Sequence, residues 1–248
     1  MNILHIDVSP RQESHSRKLS AAMVEMLLEV ASGATITRRD VGAQPLPHAE
    51  ADYAVTLSSP VTLAAPLQGS LDLSETLIRE VEAADVIVIG TPMHNFTLPS
   101  VLKAWIDQVL RVDRTMKSTP AGKVGMLRDR PVFIGVASGG VFTGERANQP
   151  DFLTPYLTLA LNSIGLQSLQ FLPLEATAFL DGDKAGLARK KTLAALDLTV
   201  VRELPGVGSP AVISRCPAAP ESIAKNTLAA RRNLLARPCD NLPAAAGL

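Results

Sequence analysis

Residues 85–90 read Asp85-Val86-Ile87-Val88-Ile89-Gly90, a strand-length run with no polar residue in alternation. A strand with one face in water alternates apolar and polar side chains. A run that is apolar on both faces has to be covered on both, and a parallel sheet enclosed by helices meets that condition. The flanks agree, with helical patterns near Leu73 to Ala83 before the run and near Ser100 to Val112 after it.

The same alternation organises the rest. An apolar run at Ile3 to Val8 leads into Ser16 to Val30, where Leu19, Met23, Met26, Leu27 and Val30 repeat at helical spacing. A strand is predicted at Thr35 to Asp40, another at Val132 to Ala137, a helix near Phe152 to Ile164, a strand near Ser168 to Leu174 and a final helix near Lys184 to Leu198. Strands interleaved with helices imply a doubly wound α/β fold. A count of five favours the parallel order 2-1-3-4-5 over the six-stranded dinucleotide fold. In that order the switch point lies between the first and third strands. Ligands bind beyond the carboxyl ends of the strands there, so the loops after Val8, Gly90 and Val136 are expected to converge.

With 248 residues, 46% of them hydrophobic, the chain can bury a full core. Residues 1–204 are read as one domain. The Pro- and Ala-rich segment 205–248, with one helical patch at Glu221 to Ala236, is read as an appendage without a catalytic part. Lys+Arg and Asp+Glu both number 24, so no global field attracts nucleic acid or an anionic membrane. The N-terminus lacks the basic start and apolar stretch of a secretory signal, and no apolar run approaches the roughly 20 residues of a membrane span. A cytoplasmic protein without a membrane span is expected. Cys216 and Cys239 are far from the CxxC spacings of zinc or redox sites, and no metal site is expected. Pro45 to Ser70, with four prolines and few charges, is too long for a plain connector and is either an excursion over a ligand or partner or a loose surface loop.

The first of the convergent loops, Ser9 to Ser16, is polar and runs straight into an amphipathic helix. The hydroxyls of Ser9, Ser14 and Ser16 can donate to phosphate oxygens, and the free amides and positive end of the helix favour an anion. Arg17 is a candidate to add charge. Equally, Ser14 or Ser16 can do no more than cap the helix. The loop has neither the GxxxxGK[ST] nor the GxGxxG pattern, and no cysteine nucleophile, so it suits a monophosphate better than a nucleoside triphosphate or a phosphatase site.

The second loop reads Gly90-Thr91-Pro92-Met93-His94-Asn95-Phe96-Thr97-Leu98-Pro99-Ser100 and continues into Leu102-Lys103-Ala104-Trp105-Ile106-Asp107. This stretch resembles the flavin loop of the FMN-dependent NADH azoreductases and NAD(P)H:quinone oxidoreductases, which have a flavodoxin-like fold. Ser14-His15-Ser16 and Ala137-Ser138-Gly139-Gly140 are similar to that family's first and third flavin loops, and the resemblance in order and spacing spans roughly residues 1–200. It departs at His94, where the family usually has Tyr, and at Ala137-Ser138, where it commonly has Ser-Arg.

The resemblance implies that Ser9, Ser14, His15 and Ser16 hold the phosphate of FMN. Met93, His94, Asn95 and Phe96 would border the isoalloxazine, and Ala137, Ser138, Gly139 and Gly140 its pyrimidine edge. Taken singly, Met93 and Phe96 can be core residues and Gly139-Gly140 a turn. The resemblance further implies a ping-pong transfer of two electrons from NADH or NADPH to a quinone or azo compound, with no catalytic side-chain nucleophile, in a homodimer. Two other readings stay open. One is a flavodoxin-like electron carrier without a direct NAD(P)H reaction, against which the balanced charge argues. The other is a member that binds no flavin.

Overall fold

The structure is a computed structural model that describes residues 1–205 and 207. The remainder of the Pro- and Ala-rich segment, with its predicted helical patch and both cysteines, lies outside the described residues.

In chain order the elements are β1 (Asn2–Asp7), α1 (His15–Val30), β2 (Thr35–Asp40), α2 (Ala51–Leu57), α3 (Pro60–Ala64), α4 (Asp72–Ala83), β3 (Val86–Pro92), α5 (Ser100–Val109), β4 (Met116–Thr119), β5 (Gly122–Gly125), β6 (Val132–Ala137), α6 (Thr154–Ser163), β7 (Leu169–Leu174), a 3-10 turn (Thr177–Phe179), α7 (Gly182–Leu193) and α8 (Thr199–Arg202). Five strands form the parallel sheet in the order β2-β1-β3-β6-β7. This is the doubly wound 2-1-3-4-5 arrangement, with β6 and β7 as its fourth and fifth strands.

Strands β1, β3, β6 and β7 each supply two cores because successive side chains point to opposite faces. Ile3, Val86, Val88, Phe133 and Leu172 pack with Leu19, Met23 and Leu27 of α1 and Val201 of α8. Leu4, Ile6, Ile87, Ile89 and Ile134 face the other way, onto Leu77, Ile78 and Val81 of α4, Leu102, Trp105 and Ile106 of α5 and Leu157 and Leu161 of α6. The spacing Leu102, Trp105, Ile106, Val109 gives α5 one apolar stripe, and all four are fully buried. Burial of each such side chain contributes about 1.5–3 kcal/mol.

The sequence reading and the structure differ in four places. The second strand-end loop starts later than expected, because Thr91 and Pro92 still pair with Val136 and Ala137 of β6. The excursion over residues 45–70 contains the short helices α2 and α3, and α2 is fastened by buried Tyr53, whose hydroxyl donates to the Asp107 carbonyl at 3.0 Å. The exposed β4–β5 hairpin was not legible because Lys117-Ser118-Thr119 and Gly122-Lys123 carry no apolar alternation. Helix α7 stops at Leu193 and not at Leu198 because Gln170 of the edge strand captures the next residues. Its Nε2 donates to the Ala195 carbonyl at 2.7 Å, and its Oε1 accepts the Asp197 amide at 3.0 Å.

Candidate active site

Strand registry brings the three loops to one edge. Asp7 of β1 lies opposite Gly90 of β3, and Gly90 opposite Gly135 of β6, so the segments that follow leave the sheet side by side. Gly90 has no room for a side chain. A Cβ there would sit 2.4 Å from Ser20 Oγ and 2.9 Å from the Ser16 carbonyl, so the bare α carbon is what lets the start of α1 lie against β3.

In the first loop, Ser14 is the N-cap of α1 and its Oγ accepts the Arg17 amide at 3.3 Å. Ser9, Ser14 and Ser16 are buried, with the Ser14 and Ser16 hydroxyls 3.3 Å apart. The amides of His15 and Ser16, at the start of the helix, have no carbonyl one helical turn earlier to bond, and the first turn holds no acid. The cap thus leaves two helix amides beside a pair of buried hydroxyls. His15 is half-buried, and its Nδ1 has no hydrogen-bond partner among the described residues. Burial, reinforced by the positive charges of Lys18, Arg11 and Arg189, holds the His15 imidazole below its ordinary pKa.

Arg17 does not face an incoming anion. Its Nε donates to the Ser9 carbonyl at 2.8 Å, its two terminal nitrogens hold Asp40 at 2.8 and 2.5 Å, and one of them also lies 3.6 Å from Asp7. The hydrogen bond from Arg17 is the main cause that keeps the Asp40 carboxyl below its usual range. The role of Arg17 is to brace the loop from behind.

In the second loop, the Met93 amide donates to the Ala137 carbonyl at 2.8 Å. His94 and Thr97 exchange backbone hydrogen bonds at 2.9 and 3.0 Å across a two-residue turn. Asn95 (φ 48°) and Phe96 (φ 70°) form that turn with the φ signs of type I′. Left-handed backbone at a non-glycine residue costs of order 1–3 kcal/mol, more readily borne by Asn than by Phe. The amides of Met93 and His94 are thus engaged, and those of Asn95 and Phe96 sit at the tip. Phe96 is 47% exposed, which rules out a core role, whereas Met93 packs partly against the core. His94 and Asn95 are exposed.

In the third loop, Ala137 and Ser138 are buried, Gly139 is exposed and Gly140 half-buried. The loop is pinned to the end of β7. The Ser138 amide donates to the Leu174 carbonyl at 2.9 Å, and the Ser138 carbonyl accepts the Thr177 amide and hydroxyl at 3.0 and 2.9 Å. Neither Gly139 nor Gly140 adopts positive φ, and only at Gly140 is there no room for a side chain.

The chain matches the family described as having a flavodoxin-like fold over residues 1–198. It is 51% identical over 185 residues to FMN-dependent NADH:quinone oxidoreductase 4 of Pseudomonas fluorescens, covering 74% of this chain and 87% of that one. It is 42% identical over 198 residues to FMN-dependent NADH:quinone oxidoreductase 5 of Burkholderia lata, covering 78% and 96%. The chain belongs to the flavodoxin-like quinone oxidoreductase and azoreductase family. Among solved structures, the FMN complex of an FMN-dependent NADH-azoreductase from Bacillus anthracis superposes with a TM-score of 0.66 at 24% identity, over 79% of this chain and 97% of that one, which establishes the shared fold.

Three supporting groups lie outside the sequence motifs. Arg189 comes from α7, far along the chain, to add positive charge beside His15. Asp40 closes the brace on Arg17, and Glu175 accepts the Phe142 and Thr143 amides at 2.7 and 2.8 Å, fixing the chain beyond the third loop. A charged residue at a strand end was the one available signal for the two carboxylates. For Arg189, one among several basic residues of its helix, there was none. No helix among the described residues is long and apolar enough to cross a membrane.

Proposed function

We propose that this chain is an FMN-dependent oxidoreductase that transfers two electrons from NADH or NADPH to quinones and azo compounds. The observation that carries the reading is the convergence, on one edge of the sheet, of a hydroxyl-lined acid-free helix start, an aromatic-tipped turn and a glycine-bearing strand end. The naming of the Pseudomonas and Burkholderia relatives supports it.

The residues fit the cofactor. An anion beside His15 would meet a buried ring nitrogen that lacks a partner, two free helix amides and three nearby cations. Ser9, Ser14, His15 and Ser16 would hold the phosphate. Met93, His94, Asn95 and Phe96 would border the ring, with the tip amides of Asn95 and Phe96 as candidate donors. Ala137, Ser138, Gly139 and Gly140 would line the pyrimidine edge. When bound, FMN would supply the two-electron redox chemistry between the nicotinamide and the acceptor. The protein binds, orients and limits water at the site. The exposed ring of Phe96 offers a flat apolar surface to an aromatic acceptor.

The chain acts in the cytoplasm as a two-fold homodimer in this reading. Support for the dimer comes from exposed apolar residues, Val61 at 79% and Leu159 at 71%, and from an apolar groove of about 500 Å³ lined by Leu110, Met116, Tyr156 and Leu159. A monomer mass by light scattering at micromolar protein contradicts it.

Titration of the purified chain with FMN, followed by quenching of flavin fluorescence, tests the site. Saturable one-to-one binding and steady-state NADH-dependent quinone reduction are expected. Absence of binding refutes the proposal.

A further inference from the structure

Gln149 belongs to none of the three loops, yet its side chain joins two of them. Its Nε2 donates to Ser138 Oγ at 2.8 Å and lies 3.0 Å from Met93 Sδ, while the Ser138 hydroxyl points to the same sulfur at 3.9 Å. One carboxamide thus ties the residue that opens the second loop to the residue at the head of the third. We infer that Gln149 is a positioning residue of the flavin site, setting the separation of the Met93 and Ser138 loops. The inference rests on the flavin reading above.

The backbone that launches Gln149 is fixed. The amides of Asn148 and Gln149 donate to the Val141 carbonyl at 2.9 and 3.3 Å, and Asn148 Oδ1 accepts the Val141 amide at 3.0 Å, so residues 141–149 return onto their own start. Glu175 holds the outgoing limb through the Phe142 and Thr143 amides and the Thr143 hydroxyl. On the other side, Asp151 accepts the Leu153 and Thr154 amides at 2.9 Å and anchors the start of α6. A side chain held between two such anchors loses little freedom in making its contacts.

The glycine pair separates accordingly. A Cβ at Gly140 would sit 2.4 Å from Gln149 Oε1 and 2.9 Å from its Cδ, so the carboxamide lies directly on that bare α carbon. A Cβ at Gly139 would meet only Ala178 Cβ, at an ordinary 3.5 Å. Gly140 is therefore the seat of Gln149, and any side chain there evicts it.

The test is FMN affinity of the full chain, by fluorescence quenching, for the wild type, Q149A, Q149L, G139A, G140A and the G140A/Q149A double variant, with thermal unfolding of each flavin-free protein. Loss of one or two neutral hydrogen bonds at the site is expected to weaken FMN binding about tenfold in Q149A and Q149L. G140A should weaken binding at least as much, and the losses in the double variant should be less than additive, because both changes remove the Gln149 contact. Q149E supplies a second readout. Its carboxylate can still accept from Ser138 but brings negative charge to the site, so the midpoint potential of the bound flavin should fall relative to Q149L. Wild-type affinity in Q149A and Q149L, or additive losses in the double variant, overturns the role of Gln149 and leaves the flavin reading standing. A wild type that takes up no FMN overturns both.

Discussion

Arg17 and Asp40 meet as a two-pronged ion pair, at 2.8 and 2.5 Å, between the first turn of α1 and the end of β2. Through its remaining Nε, Arg17 also holds the Ser9 carbonyl at 2.8 Å, so the pair sets the shape of the first loop. Arg17→Ala leaves a partly buried Asp40 without its cation and is expected to cost about 1.5–3 kcal/mol. Arg17→Lys recovers only part, because one ammonium cannot hold both the carboxylate and the Ser9 carbonyl. Chemical denaturation and FMN titration of both variants check this, and affinity should fall in the same order as stability.

Gly90→Ala tests the approach of α1 to β3. The new methyl would fall 2.6 Å from Ser20 Cβ and 2.9 Å from the Ser16 carbonyl, so the helix start must shift. Overpacking of this kind costs about 1–3 kcal/mol. Thermal unfolding should register it, and FMN binding should weaken because Ser16 moves with the helix. Adding Ser20→Gly, which removes the nearest atoms, should restore part of the affinity.

His15 gives a pH signature. Its pKa is lowered by burial and by neighbouring cations, so the folded protein binds its proton less readily than the unfolded chain. Its contribution to stability is fully present above the ordinary histidine pKa and is lost as pH falls through the folded value. A phosphate bound beside the ring favours the protonated form. FMN should therefore raise the His15 pKa, observable by NMR titration, and bind more tightly as the pH is lowered through that window.

Glu75 is the acid-sensitive point away from the site. Hydrogen bonds from Arg114 and then from Arg111 hold its pKa at about 2, against 4.5 for an unperturbed group. A depressed carboxyl stabilises the fold fully above its unfolded pKa and progressively less as pH falls towards the folded one. Glu75→Gln should cost about 1–2 kcal/mol at neutral pH and flatten the loss of stability between about pH 4.5 and pH 2, as read from denaturation midpoints.

Phe96 separates stability from function. Phe96→Gly relieves a positive φ at a non-glycine residue and removes a ring that is 47% exposed, so the melting temperature should hold or rise slightly. Quinone turnover should fall if the ring carries the acceptor. A variant with unchanged quinone kinetics removes Phe96 from the site.

The inner part of the sheet is legible in the sequence because its strands are short apolar runs and its helices carry clear stripes, as in Val86 to Ile89 and in α1. The positions of the three loops then followed from topology alone. What could not be read depended on contacts between distant residues. The pairing of Arg17 behind the loop requires Asp40, and the arrival of Arg189 beside His15 requires the packing of α7. The β4–β5 hairpin is too polar and too short to announce itself. Gly139-Gly140 reads in sequence as a turn, but the reason for Gly140 is a glutamine nine residues later.

The measurement that bears most directly on the central claim is an anaerobic visible spectrum of the full chain with FMN, taken before and after NADH and again after a benzoquinone. Uptake of FMN, bleaching of the flavin band by NADH and its return with quinone is the predicted sequence. Failure to take up FMN, or bound flavin that neither NADH nor NADPH bleaches, would contradict the account.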